Sequence, residues 1–260
     1  MTVDRNGLDR LFDVKGRTAI VTGGTRGIGL SIAEAYAASG ANVVVASRKT
    51  DACAAAAEHL NAIGGHAIGI PTHAGDLDDL AGLVDGAVET FGGIDIVVNN
   101  AANPVTQPIG EFTLAAWTKS FDVNLRGPVF LLQVALPHLE ASEHAAVLNV
   151  VSIGAFTFSA QTAMYSAGKA ALLSFTRSMA ADFAPRGIRV NALAPGPVNT
   201  TMVRNNPPEF IEALAAGPHQ KRIAEPDEMV GPALLLTSDA GSFITGTHVN
   251  VDGGFTAAWF

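Results

Sequence analysis

Thr18-Ala19-Ile20-Val21-Thr22-Gly23-Gly24-Thr25-Arg26-Gly27-Ile28-Gly29 decides how this chain folds. The first five residues, β-branched at four positions, read as a buried strand, and the glycines behind them end it. Glycines at 23, 27 and 29 permit a tight turn and allow backbone amides to approach a pyrophosphate. A helical pattern begins at once, bringing the positive end of its dipole to the same place. The loop is not a P-loop, because no Gly-Lys-Ser/Thr follows. Gly23-x-Thr25-x-Gly27 lacks the nucleophilic Ser and the later-strand position of a hydrolase elbow. Taken alone, these residues also admit a glycine turn that binds nothing.

Outward from this stretch, apolar runs at 42–46, 66–71, 94–99, 145–151, 188–193 and 247–251 read as six more strands. Helical patterns lie between them, at about residues 28–39, 50–63, 77–91, 114–139, 162–185 and 226–236. Continuous apolar strands alternating with helices predict an α/β fold. The expected fold is a doubly wound (Rossmann) parallel seven-stranded sheet with helices on both faces. Ligands of such sheets bind beyond the C-terminal strand ends, so the residues following each strand are the candidates for chemistry. No Ser/Gly run, proline tract or charge block marks a linker, which predicts a single domain over 1–260. Residues 1–12 read as an N-terminal extension. Residues 202–225, with Asn205-Asn206-Pro207-Pro208 and Gly217-Pro218, read as a substrate lid.

Composition narrows the function. A net charge of −8 argues against nucleic acid as a partner. The single cysteine, Cys53, cannot form an intrachain disulfide and fits a reducing compartment. No apolar run reaches the roughly 18–20 residues that span a membrane, and MTVDRNGLDR has no signal core. A cytoplasmic chain with no membrane partner is expected. The seven histidines are dispersed and no His/Asp/Glu cluster shows ligand spacing, so no metal site is predicted.

Tyr165 and Lys169 stand four apart on a helical pattern and share one face. Ser152 ends the fifth strand, and Asn124 lies within the long helical pattern before it. A free phenol titrates near 10, too high for ready proton exchange at neutrality, and a cation beside it favours the phenolate. Individually, a Tyr-x-x-x-Lys pair can be a surface pair and a strand-end serine a cap. Tyr36, the only other tyrosine, has Gly40 four residues on.

The T-G-x-x-x-G-I-G loop at 22–29 and the order and spacing of Asn124, Ser152, Tyr165 and Lys169 resemble the short-chain dehydrogenase/reductase family. The resemblance implies hydride transfer between a nicotinamide and a carbonyl or secondary alcohol, with Tyr165 as general acid/base. Ser152 would hold the substrate oxygen, Lys169 the nicotinamide ribose, and Asn124 a water leading from Lys169. Gly23, Thr25, Arg26, Gly27, Ile28 and Gly29 would cradle the cofactor. Asn100 and Ala101, in Asn99-Asn100-Ala101-Ala102, and Pro195, Gly196, Val198 and Thr200, in the turn after the sixth strand, would join them. Ser47 stands where NAD-selective members carry Asp, and Arg48 and Arg26 match phosphate-binding positions, so the cofactor expected is NADP(H). His73 occupies the place of an adenine-contacting Asp. It is read either as a base contact or as a plain loop histidine.

Within the family, Ser47-Arg48-Lys49, His73-Ala74-Gly75 and Asn100-Ala101-Ala102-Asn103-Pro104 are most similar to NADPH-dependent carbonyl and retinoid reductases. A 3-oxoacyl-thioester reductase, with Arg186 docking an acidic carrier, is the alternative. The acidic 138–144 stretch counts against it. A non-catalytic NADP-binding scaffold is the alternative of another class. Phe156, Phe158 and Met164 either line an apolar pocket for a small carbonyl or alcohol substrate or pack against lid or partner. Leu172, Leu173, Phe175 and Met179, with Phe121, Phe130 and Leu131, predict burial between subunits and a homotetramer.

Overall fold

Thr18–Thr22 is a wholly buried strand, β1, and its side chains split between the two sides of the sheet as the period of two requires. Ala19 and Val21 join one apolar cluster, whereas Ile20 joins the other. The computed structural model describes residues 4–157 and 161–259. Six further strands follow: β2 (Asn42–Ser47), β3 (His66–Pro71), β4 (Ile96–Asn99), β5 (Ala146–Val150), β6 (Arg189–Pro195) and β7 (His248–Val251). They form one seven-stranded sheet in the order β3-β2-β1-β4-β5-β6-β7, and every pairing is parallel. Strand order reverses between β1 and β4, which makes their C-terminal ends the switch point where a ligand crevice opens.

The helices are α1 (Arg5–Leu11), α2 (Gly27–Ala38), α3 (Thr50–Ala62), α4 (Leu77–Phe91), α5 (Leu114–Phe121), α6 (Gly127–Glu140), α7 (Ala163–Phe183), α8 (Thr201–Arg204), α9 (Pro208–Ala216) and α10 (Val230–Thr237). On one face of the sheet, α2, α3 and α10 contribute Ile32, Leu60 and Leu236 to the core. On the other, α4 and α6 contribute Leu80, Leu83, Leu131 and Leu132. The expected fold is therefore observed, with strand ends moved by one or two residues.

Three segments differ from expectation. The pattern at 114–139 is not one helix: α5 and α6 are joined by a π-helical turn, Asp122–Arg126. Gly127, just behind it, lies so close to the Ala74 carbonyl that a Cβ would collide with that oxygen, which ties the start of α6 to the loop after β3. Residues 5–11 of the extension form α1, capped by the Asp4 carboxylate, which accepts from Gly7 N at 2.7 Å. The 202–225 segment contains two short helices, α8 and α9. Pro208 opens α9, where its missing N–H is no loss.

Candidate active site

The glycine loop owes its shape to a latch between β1 and β4. Thr22 Oγ1 donates to Val98 O (3.2 Å) and accepts from the amides of Asn100 (3.0 Å) and Ala101 (3.1 Å). Asn100 Nδ2 donates back to Thr22 O (2.9 Å) and Gly23 O (3.2 Å). Asn100 and Ala101, expected at the cofactor, thus hold the loop that would bind it. A Cβ at Gly29 would collide with Asn100 Nδ2 and the Gly23 carbonyl. Gly27 has φ +54°, and a Cβ there would lie 3.0 Å from Thr200 Cγ2. Glycine loop and the turn after β6 are therefore neighbours. That turn is closed by Asn199 N donating to Ala224 O (2.8 Å), Ala224 N to Pro197 O (2.9 Å) and Gly196 N to Val251 O (2.9 Å). Pro195 and Val198 are buried within it, and Thr25 and Ile28 are half-buried at the loop. The latch centred on Thr22 escaped sequence reasoning, although a hydroxyl at a strand end facing an Asn-Asn pair is a usable signal.

Beyond β2 the surface is cationic. Ser47 is half-buried, its hydroxyl within 3.4 Å of Cys53 Sγ. Arg48 and Arg26 are exposed, and neither forms an ion pair among the described residues. At His73, Nδ1 accepts from Gly75 N (3.2 Å), and the residue's own amide donates to Asp79 Oδ2 (2.7 Å).

The four expected catalytic residues converge. Lys169, 1% exposed, donates from Nζ to Val150 O at 2.7 Å and lies 5.8 Å from the centre of the Tyr165 ring. Ser152 caps the short turn Ile153–Ala155, its Oγ accepting from Gly154 N (3.0 Å), and its hydroxyl also hydrogen-bonds the Tyr165 side chain. Asn124 is fully buried on the π turn. Its Nδ2 donates to Asn103 O (2.8 Å) and Ser120 O (2.9 Å), and its Oδ1 accepts from Asn103 N (3.1 Å). One amide hydrogen thus braces the 103–104 loop and the other ties the π turn back to Ser120 on α5. A Cβ at Gly168 on α7 would stand 3.3 Å from Asn124 Cβ, so the π turn packs on the helix carrying Tyr165 and Lys169. A buried polar chain, missed in the sequence, supports the site from beneath. Asn99 Nδ2 donates to Asn149 Oδ1 (2.9 Å), and Asn149 Nδ2 to Thr176 Oγ1 (2.9 Å).

The electrostatics depart from expectation. Burial is the largest influence on Tyr165 and raises its pKa, although the side chain keeps some exposure; the Ser152 hydrogen bond lowers it in part. Burial also brings Lys169 down to about 8. Sequence reasoning had the lysine cation draw the phenol toward ionisation. Within the protein alone, desolvation prevails for both groups.

The pocket residues divide. Phe156 packs its ring on His248 at 4.8 Å, Met164 is buried, and Phe158 lies outside the described residues. Leu172, Leu173, Met179 and Leu131, expected between subunits, are buried in the chain's own core, whereas Phe175 stays exposed. Among the described residues no cluster of potential metal ligands occurs and no helix is long and apolar enough to cross a membrane.

A doubly wound sheet with a glycine loop at its switch point and a Tyr/Lys pair beside it defines a nicotinamide-dependent oxidoreductase. Residues 23–256 match the model of a family described as enoyl-(acyl carrier protein) reductase. The chain is 37% identical over 252 residues to human dehydrogenase/reductase SDR family member 4, covering 96% of this chain and 91% of that one. It is 37% identical over 243 residues to cis-4-hydroxycyclohexanecarboxylate dehydrogenase of Sinomonas cyclohexanicum, covering 93% and 97%. A Beutenbergia cavernae chain, described as an NAD(P) dependent gluconate 5-dehydrogenase and solved with bound NADP at low occupancy, superposes with a TM-score of 0.89. It shares 35% identity over 95% of this chain and 99% of that one. The chain belongs to the short-chain dehydrogenase/reductase family, whose members bind a nicotinamide cofactor and act on CH–OH or C=O groups of small molecules.

Proposed function

We propose that this protein is an NADP(H)-dependent reductase of small carbonyl compounds, with Tyr165 as its proton donor and acceptor. The observation that carries the reading is the convergence of Ser152, Tyr165 and Lys169 beside a glycine loop latched open by Thr22 and Asn100. The loop fits a dinucleotide: Gly23 and Gly29 pack too closely on Asn100 and backbone for a Cβ, Gly27 takes φ +54°, and the bare backbone leaves amides at 23–29 suited to a pyrophosphate. The turn containing Pro195, Gly196, Val198 and Thr200 would face the nicotinamide end.

NADP(H) over NAD(H) is supported by the absence of an acid at Ser47 and by Arg48 and Arg26, exposed cations whose guanidinium groups suit a 2′-phosphate. The NADP-bound Beutenbergia structure is consistent with that choice. When bound, the cofactor supplies the hydride. Ser152 holds the substrate oxygen by its hydroxyl, and Tyr165 delivers the proton to that oxygen. A phenol kept protonated by burial is the form a reduction requires. Lys169, its pKa lowered by burial to about 8, holds the ribose hydroxyls and restores the phenol's proton. Asn124 braces the 103–104 loop beside them. The half-buried and exposed segment 202–225 closes over the substrate.

The thioester alternative is favoured only by the family model's description. Arg186 is paired with Glu140 and stacked on Phe183, so it is not a free docking cation. A homotetramer is part of the proposal. Leu114, Trp117 and Phe175 are exposed on the neighbouring helices α5 and α7, an apolar surface suited to a second copy. Sedimentation as a monomer at micromolar concentration would remove that part.

The test is nicotinamide oxidation across aromatic ketones, α-dicarbonyls, retinal, 3-oxoacyl thioesters and ketosugars, with NADPH and NADH in parallel. Turnover with NADPH that Tyr165→Phe abolishes supports the reading. Binding of NADPH with no turnover on any carbonyl supports a scaffold instead.

A further inference from the structure

The π turn that carries Asn124 is clasped to the loop after β3. Arg126 donates from Nη2 to Gly75 O at 2.6 Å and pairs with Asp122 Oδ2 at 3.1 Å. The exposed ion pair alone is worth little at the surface. The short charge-assisted bond to a main-chain carbonyl and two close approaches make the clasp firm. A Cβ at Gly75 would stand 3.0 Å from Asp122 Cβ, and one at Gly127 would strike the Ala74 carbonyl. Thr22, Ala74, Asn99, Ala101, Val123 and Gly127 surround one gap too tight to admit a water, so the loop after β3, the strand ends and the π turn pack directly on one another. The π turn in turn holds the 103–104 loop through Asn124 and packs on α7 at Gly168. A π turn is a local irregularity with a neighbouring α-helical alternative, which makes it an element able to respond to its contacts.

We propose that Arg126 is a positioning residue that transmits occupancy of the adenosine side of the crevice, at residues 72–76, to the catalytic side through the Asp122–Arg126 turn. This rests on the dinucleotide reading above, which puts the adenosine half beyond β3. A shift of 73–75 on contact with the base would then move Gly75 O, Arg126 and the turn, and with it Asn124 and α7. The coupling predicts that the adenosine fragment alone reorganises a helix it does not touch.

Trp117 on α5 reports this. It stacks on Phe121 at 4.4 Å, immediately before the π turn, and Trp259→Phe leaves it the only tryptophan. In that background, adenosine 2′,5′-bisphosphate should change Trp117 emission saturably. Arg126→Met should bind the fragment by calorimetry with similar affinity yet lose most of the emission change, and Arg126→Lys should restore part of it. With NADPH and a carbonyl the enzyme reduces, Arg126→Met should lower kcat by about fivefold or more while KM for the carbonyl holds. If Arg126→Met does not fold, Asp122→Asn loosens the same clasp and should show a smaller loss. An equal emission change in parent and variant, or none in the parent while calorimetry records binding, overturns the coupling. Absence of any binding to the parent overturns the dinucleotide reading instead, and the coupling with it.

Discussion

The rim of the glycine loop and the segment at 202–225 lie on the same side of the sheet and are built on opposite principles. Around the loop, Thr22, Asn99, Asn124 and Lys169 are polar side chains buried to 4% exposure or less, and each has a hydrogen-bond partner. Buried polar groups are costly unless satisfied, so such a network admits one arrangement. Across the crevice, α9 buries no side chain, and Met202 and Phe210 stand about half exposed. Few buried contacts mean a low free energy of local opening. On the proposed function, chemistry would be held in the fixed half and access in the loose half, and variants in the two should fail differently.

The largest effect belongs to the boundary of the fixed half. On the proposed function, Tyr165→Phe would remove the proton donor and leave the ring, and kcat should fall by about 10²- to 10⁴-fold. Cofactor affinity should change little, measured by fluorescence titration of NADPH. A parallel loss of cofactor binding would show that the phenol is structural and would erase the distinction between fixed frame and reacting group.

Lys169 gives the next effect, on stability. Burial lowers its pKa from 10.5 to about 8 in the folded chain. Between those values the unfolded chain holds the proton and the folded one has released it, so this group makes stability rise with pH across that window. Below pH 8 the full cost of burying the charge is present. Lys169→Met removes the dependence and adds a pH-independent offset from the bereaved Val150 carbonyl. The stability of wild type relative to the variant, measured by urea unfolding, should therefore increase by on the order of 3 kcal/mol from pH 8 to 10.5. A flat difference would mean that the ammonium is solvated and the site less closed than described.

Arg48→Ala sharpens the comparison on the cofactor side. Loss of one charge-assisted contact from an exposed side chain should raise the KM for NADPH about tenfold and leave that for NADH unchanged. Equal effects on both cofactors would remove the basis for NADP(H) preference.

What was legible in the sequence follows from how local each cause is. The helical spacing of Tyr165 and Lys169, the glycine loop, and the alternation of apolar runs with helices are short-range signals, and the structure has the corresponding elements where they were expected. The lysine's acceptor, Val150 O, lies nineteen residues away on another element and has no side-chain signature. The π turn interrupts a continuous helical pattern, and the close contact of Gly127 with Ala74 just behind it joins α6 to a loop over fifty positions earlier. The raised phenol pKa depends on burial, which spacing cannot report. The apolar residues assigned to a subunit interface were mostly core, because a helix lying between sheet and neighbouring helices is apolar on more than one face for reasons internal to the chain.

The smallest effect tests the loose half directly. Phe210→Ser on α9 removes an aromatic ring that is half in solvent, and nothing on that helix is buried to lose contacts with it. Stability should shift by no more than about 0.5 kcal/mol. Leu60→Ala, a fully buried contrast on α3, should cost roughly 2–5 kcal/mol. If α9 closes over substrate, the same Phe210→Ser should raise KM for apolar ketones severalfold and leave KM for NADPH alone, because the ring would be desolvated only in the closed state. An unchanged KM for every carbonyl would detach α9 from substrate recognition. A large loss of stability would show that the segment already rests in a packed position, and the contrast between a fixed and a loose half would fall.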